Sequence, residues 1–268
     1  MGRVADMFKH CQSQSRGALM PFIVAGHPTP DSLGSLLQAL ESAGADAVEV
    51  GIPFSDPIAD GPVIAAAMHE ALVAGITVAD VLSSMAAARA SITIPVVAMV
   101  SISIVNRLGG AAFIDRLADS GFDGVILPDA DLDSIGELQQ RAEERGMAFT
   151  SLIAPDSSLT RTRQIAADAR EFIYLLARRG LTGERSDAPD LHDRVASIRE
   201  LTNLPLAAGF GISTPQHVCA VLGDADGAIV GSALVRTISE AVTAGKDPFQ
   251  AARAFVEPLA QAAQNSPG

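Results

Sequence analysis

Short β-rich apolar runs alternate along the chain with longer stretches in which apolar residues recur every three or four positions. Eight runs have strand length: "LMPFIVAG" (19–26), "DAVEVGI" (46–52), "IPVVAMVSI" (94–102), "FDGVILPD" (122–129), "MAFTSLIAP" (147–155), "EFIYLLA" (171–177), "LPLAAGF" (204–210) and "GAIVGS" (227–232). The stretches between them carry helix signals. "DSLGSLLQALESAG" opens on Asp31 as an N-cap and stops at Gly44, and "DSIGELQQRAEERG" opens at Asp133 and ends on Arg145-Gly146. Pro62 marks the first turn of a helix through Glu70, and Pro215 that of a helix through Val221. Two more helices are predicted around 3–11 and 247–263. Repeating strand–helix units, with no low-complexity linker, predict one α/β domain over residues 1–268. The expected architecture is a (β/α)8 TIM barrel with an extra N-terminal helix and a C-terminal helix. A doubly wound open sheet is the alternative, and the lack of a polar, edge-like strand favours closure. In a closed barrel the chemistry sits on the loops after the strands' C-terminal ends.

Two of those loops are glycine turns. "AAGFGIST" (207–214) and "AIVGSALV" (228–235) place Gly211 and Gly231 after the last two strands. Glycine there lets backbone N–H groups approach an anion, and the following helix adds the positive end of its dipole. Phosphate binding at this place recurs in barrels, although ordinary turn glycines would read the same way. "RGLTGE" (179–184) is a third glycine-rich loop, of the kind that closes over a ligand. The second strand carries a glutamate inside an apolar run. Alternation places Ala47, Glu49 and Gly51 on one face and Val48, Val50 and Ile52 on the other. The small flanking residues leave room beside Glu49, and partial desolvation would raise its pKa toward neutrality for proton transfer. Asp60 follows in the loop after the same strand, so the two carboxylates are expected to face one cavity in different environments. Asp56 reads as a surface charge of that loop.

Composition then removes chemistries. Apolar residues make up 48% of the chain and aromatics 4%, so the core must be aliphatic. A net charge of −12 argues against nucleic acid or an anionic membrane as a partner, but not against an anionic small molecule held by backbone N–H groups. The two lysines, Lys9 and Lys246, lie off the strands, which excludes a Schiff-base aldolase. The five histidines (His10, His27, His69, His192, His217) form no metal-binding spacing and read as surface or helix residues, with only His27 near a strand end. No dinucleotide fingerprint follows the first strand. Cys11 and Cys219 have no paired spacing, which fits a reduced, cytoplasmic protein, and no apolar run is long enough to span a bilayer. The one tyrosine, Tyr174, either points into the barrel mouth or belongs to the core. These residues predict a phosphate-bearing substrate and acid–base chemistry by carboxylates without cofactor or metal.

"PFIVAGHP", "GADAVEVGIPFSDPIADGPVI", "FIYLLARRGLTGE", "GFGIS" and "GAIVGSA", in this order along the chain, resemble the tryptophan synthase alpha subunit family. The "ExGxPFSDPxADGP" segment is highly specific to it, while the glycine turns are shared with many barrels. The resemblance implies cofactor-free, retro-aldol cleavage of indole-3-glycerol phosphate to indole and glyceraldehyde 3-phosphate. It implies Glu49 as general acid and base and Asp60 as the partner of the indole N–H. Thr182 would close over the site; Gly183, Gly211, Gly231 and Ser232, with Phe210 between, match phosphate ligands; Phe22, Ile64 and Tyr174 match the indole pocket. Pro53 and Asp56 would meet a pyridoxal-phosphate-containing beta subunit, in an α2β2 heterotetramer through which indole passes by a tunnel. Three departures stand out: Ser101 and Ser103 replace an aromatic and an amide, "PDADLDS" replaces a "PDLPxEE" pattern, and His27 replaces an aspartate. The altered third and fourth loops leave room for a free-standing lyase that releases indole; a non-catalytic phosphosugar-binding or beta-activating subunit is a further reading, against which Glu49 and Asp60 argue.

Overall fold

The computed structural model describes residues 2–56, 61–176, 191–209 and 211–266. The chain opens with α1 (Arg3–Ser13), then β1 (Ala18–Val24), α2 (Leu33–Ser42) and β2 (Val48–Gly51). Two helices follow, α3 (Pro62–Val73) and α4 (Val78–Ala88), before β3 (Val96–Met99). Next come α5 (Ile102–Arg107), α6 (Ala111–Asp119), β4 (Gly124–Ile126), α7 (Gly136–Glu144), β5 (Ala148–Thr150) and β6 (Leu152–Ile153). The last part runs α8 (Leu159–Asp168), β7 (Ile173–Leu176), α9 (His192–Arg199), β8 (Leu206–Gly209), α10 (Pro215–Leu222), β9 (Gly227–Val230), α11 (Ser232–Thr243) and α12 (Pro248–Asn265). All eight predicted strands are present.

The strands pair in parallel in the order β5-β4-β3-β2-β1-β9-β8-β7-β6. β5 and β6 are two halves of one stave, parted at Ser151, so the two ends of this order meet in the chain and the sheet comes round on itself. The two-residue period sorts side chains as expected. Val48 and Val50 join the large aliphatic layer under the helices, while Ala47 joins the barrel interior with Met20, Val97, Ile126, Ala148 and Ala207. α1 closes the floor: Val4, Met7, Phe8 and Cys11 pack into that interior, with the Phe8 ring 6.0 Å from that of Phe172. The Glu171 carboxylate accepts the N–H groups of Gly2 and Ala5, capping α1 from across the chain.

Three staves are fastened at the same rim by one device. Asp46 donates its N–H to Leu19 O, takes the Leu19 N–H on its carboxylate at 2.9 Å, and is gripped by both Arg16 nitrogens. Asp123 exchanges the same pair of bonds with Val96 and Asp226 with Leu206, each held by one guanidinium nitrogen, of Arg89 and of Arg199, whose other nitrogen donates to backbone carbonyls. Each aspartate directly precedes or lies close to the start of its strand, so the free N–H at the foot of the neighbouring stave is satisfied.

Two helix starts differ from expectation. Ser32, not Asp31, is the N-cap of α2, and its hydroxyl donates to the carbonyls of His27 and Thr29. The helix expected from Asp133 begins at Gly136, because Asp131 first caps a 3-10 turn over Leu132–Ser134. Among the described residues no single helix is long and apolar enough to cross a membrane; α3 with the following helical stretch has the composition but is bent by 97°.

Candidate active site

Glu49 faces into the barrel and is 0% exposed. Its register partner on β1 is Phe22, whose ring lies against Gly51: a Cβ on Gly51 would stand 2.6 Å from Phe22 Cζ. The glycine two residues beyond Glu49 on the same face is thus what admits the aromatic ring. Phe22 continues into a small apolar cluster with Val24, Ile64, Ala67, Met68 and Val235, to which Met99 is added from the end of β3. Neither carboxylate oxygen of Glu49 has a hydrogen-bond partner among the described residues. Burial therefore raises its pKa well above the ordinary carboxylate range, with no charge among the described residues to offset it. The sequence implied a partly desolvated acid; the structure shows a fully enclosed one.

The glycine turn after β9 reaches the same cluster. A Cβ on Gly231 would lie 3.7 Å from Phe22 Cβ and 3.8 Å from Ile64 Cδ1, so Gly231, Phe22 and Ile64 share one wall. Gly231 is the N-cap of α11 and Ser232 its first residue, which points the first-turn N–H groups out of this end of the helix. Gly211, after β8, has φ +75°, a left-handed conformation suited to glycine. Tyr174 is 7% exposed, belongs to the interior cluster, and sets its hydroxyl 2.8 Å from where a Cβ on Gly209 would be. It is both core and directed toward the turn leading to Gly211.

Of the two loop residues assigned to a partner contact, Pro53 is buried and Asp56 exposed. Asp60, Thr182, Gly183 and Phe210 lie outside the described residues. Ser101 is buried, donates to Asp129 at 2.6 Å, and caps α5 by accepting the Ser103 N–H; Asp129 also takes the Ile102 N–H, so the loops after β3 and β4 are tied together. His10, His69 and His192 are exposed as expected, but His27 and His217 are buried. Sequence reasoning missed Met68, Val24 and Val235 as parts of the wall. For Val24 the inward phase of β1 was a usable signal, whereas the two helix residues meet it only through tertiary packing. No cluster of three or more metal-ligating side chains occurs among the described residues. At the opposite end of the barrel, a cavity of about 680 Å³ beneath α1 is lined by Phe8, Lys9, Arg170 and Glu171, far from Glu49 in the fold.

A family profile described as Tryptophan synthase alpha chain matches residues 8–264. The chain belongs to that family. It is 42% identical over 242 residues to the tryptophan synthase alpha chain of Halorhodospira halophila, covering 90% of this chain and 89% of the other. It is 40% identical to that of Chloroflexus aurantiacus, with 98% of both covered. Among solved structures, tryptophan synthase subunit alpha from Legionella pneumophila superposes with a TM-score of 0.90 at 34% identity, covering 99% of each chain. A chain of Mycobacterium tuberculosis tryptophan synthase gives 0.89 at 31%, covering 98% of each. As a tryptophan synthase alpha family member, the chain is a carbon–carbon lyase of tryptophan biosynthesis that cleaves indole-3-glycerol phosphate to indole and glyceraldehyde 3-phosphate.

Proposed function

We propose that Glu49 carries the proton transfers of this cleavage, without a cofactor in this chain. The observation that supports it is a carboxyl fully enclosed on the barrel's inner face, without hydrogen-bond partners among the described residues, beside the apolar wall of Phe22, Ile64 and Met68. Burial keeps it protonated at higher pH, which suits the first step. Glu49 gives its proton to the ring carbon that bears the glycerol chain. The ring becomes an iminium whose N–H is held by Asp60. The hydroxyl on the adjacent side-chain carbon then loses its proton to the Glu49 carboxylate, and a C=O bond forms there. The bond between that carbon and the ring breaks, its electron pair restores the indole double bond, and Glu49 ends protonated as it began. No net proton, oxidant or metal is needed.

Phe22, Ile64 and Tyr174 supply the apolar pocket for the indole ring. Gly211, Gly231 and Ser232, together with Gly183 and with Phe210 between, are assigned to the phosphate end, where helix N–H groups face the dianion, and Thr182 to closing over the site and orienting Asp60. We further assign the chain a beta-subunit partner bearing pyridoxal phosphate, in an α2β2 assembly in the cytoplasm, with the loop of Pro53 and Asp56 at the contact. The test is cleavage of indole-3-glycerol phosphate, assayed with and without a beta subunit. Glu49→Gln is expected to lose about 10²- to 10⁴-fold in kcat with little change in KM. An unaffected variant would sink the assigned role.

A further inference from the structure

His27 lies in the loop after β1 and is 4% exposed. Its ring joins two helices that frame the candidate site. Nε2 is 3.0 Å from Ser239 Oγ on α11, and Nδ1 is 3.3 Å from Glu70 Oε2 on α3, a contact that lacks hydrogen-bond alignment. α11 begins at the Gly231–Ser232 turn, and α3 begins directly after the loop that holds Asp60. Ser239 lies two turns from Ser232, about 10 Å along the helix.

With Ser239 donating its hydroxyl proton to the Val235 carbonyl at 3.1 Å, His27 Nε2–H donates to Ser239 Oγ in the neutral ring as well as in the charged one, so the α11 side of the joint is satisfied in both. In the neutral ring Nδ1 then turns a lone pair to the Glu70 carboxylate 3.3 Å away, and only the imidazolium sets a positive N–H facing it and adds the α3 side. Burial opposes that charge and lowers the ring's pKa, while Glu70 works to raise it. The other charged or titratable groups on the packed elements point elsewhere. His69 on α3 is exposed, Arg236 and Glu240 on α11 pair with each other, and Asp31 and Asp80 are exposed. Ser32 of α2 bonds the His27 carbonyl and not the ring.

We propose that His27 is a positioning residue that clasps α3 to α11 when protonated, so that anion affinity at the Gly231–Ser232 turn is linked to the ring's proton. The proposal rests on the reading of that turn as the phosphate end. Binding linkage is reciprocal, so an anion held at the turn must raise the ring's apparent pKa by the same factor.

The ring titration is measured by NMR on the full chain, assigned with His27→Gln, with and without saturating sulfate, which mimics phosphate but keeps its charge between pH 5 and 8. Sulfate is expected to raise the His27 midpoint by about 0.5 pH unit, equivalent to about 3-fold tighter binding to the protonated form. Ser239→Ala, which removes the α11 end of the clasp and keeps the ring, is expected to abolish the shift. Glu70→Gln, at an exposed position, is expected to do the same. A shift that persists in Ser239→Ala would mean through-space charge alone and overturn the clasp. Sulfate binding that Gly231→Val fails to weaken, or no binding at all, would remove the phosphate-turn reading and the clasp with it.

Discussion

Glu49 is costly to keep where it is, and the cost is measurable. Its enclosed carboxyl holds a proton to higher pH than the same group in the unfolded chain, whose ordinary value is 4.5. Above that value the folded protein binds more protons than the unfolded one, so this group's contribution to stability is intact below about 4.5 and is lost as pH rises through the raised folded value. Glu49→Gln cannot ionise. Its urea midpoint is expected to exceed that of the parent increasingly between pH 5 and pH 8, and the two are expected to converge near pH 4. Parallel curves would mean that the carboxyl is solvated. The face on which Glu49 sits was legible in the sequence, because a strand has only two faces and Ala47 and Gly51 mark the inner one. Its full enclosure was not, since that depends on the Phe22 ring lying over Gly51, a contact between different staves. His27 was misread for the same reason. Nothing local in "AGHPTP" announces Glu70 or Ser239, which lie 43 and 212 positions away in the chain.

At the scale of elements, the apolar runs located every stave, because a strand buried on both faces leaves a continuous β-rich signal whatever surrounds it. Helix starts were less legible where polar side chains had other work. Ser32 holds the N-cap position of α2 with its hydroxyl turned back to the preceding loop, and Asp131 spent its carboxylate on a 3-10 turn before α7 could begin. The aspartates at the barrel rim show the limit more clearly. "GADAVEV", "GFDGVIL" and "DADGAIV" share an acid just before the strand, but its purpose appears only when the neighbouring stave and an arginine arrive. Each carboxylate satisfies a strand N–H that has no partner in the ladder and is neutralised by a partly buried guanidinium. Asp46→Asn would keep the shape but lose the charge, leaving Arg16, 12% exposed, without its anion. A loss of about 1–3 kcal/mol is expected, read from the urea midpoint. Asp56→Asn, on the exposed loop after β2, is expected to stay within about 0.5 kcal/mol. If the two variants were equally mild, the rim device would be ornamental.

The whole molecule has two unlike ends. α1 and the arginine–aspartate pairs close the floor, helices cover the flank, and the C-terminal ends of the staves are left for the ligand and for a partner. A chain of net charge −12 does not draw a phosphorylated substrate by its overall field, so the proposed phosphate end at the head of α11 would have to rely on its backbone N–H groups. The same charge makes a basic surface the natural complement for a docking partner. Asp56 is exposed on the loop that leads out of β2, the strand of Glu49, so an ion pair made there would report assembly directly to the proposed site. Its removal should act on association and not on chemistry. Asp56→Ala is expected to weaken the apparent affinity for the beta subunit about 5-fold, equivalent to about 1 kcal/mol, and to flatten the dependence of that affinity on salt. At saturating beta subunit the cleavage rate should match that of the parent chain. The measurement is a titration of indole release with beta subunit at low and high ionic strength. An unchanged midpoint and salt dependence would move the contact away from this loop, and a lower plateau would make Asp56 part of the chemistry instead.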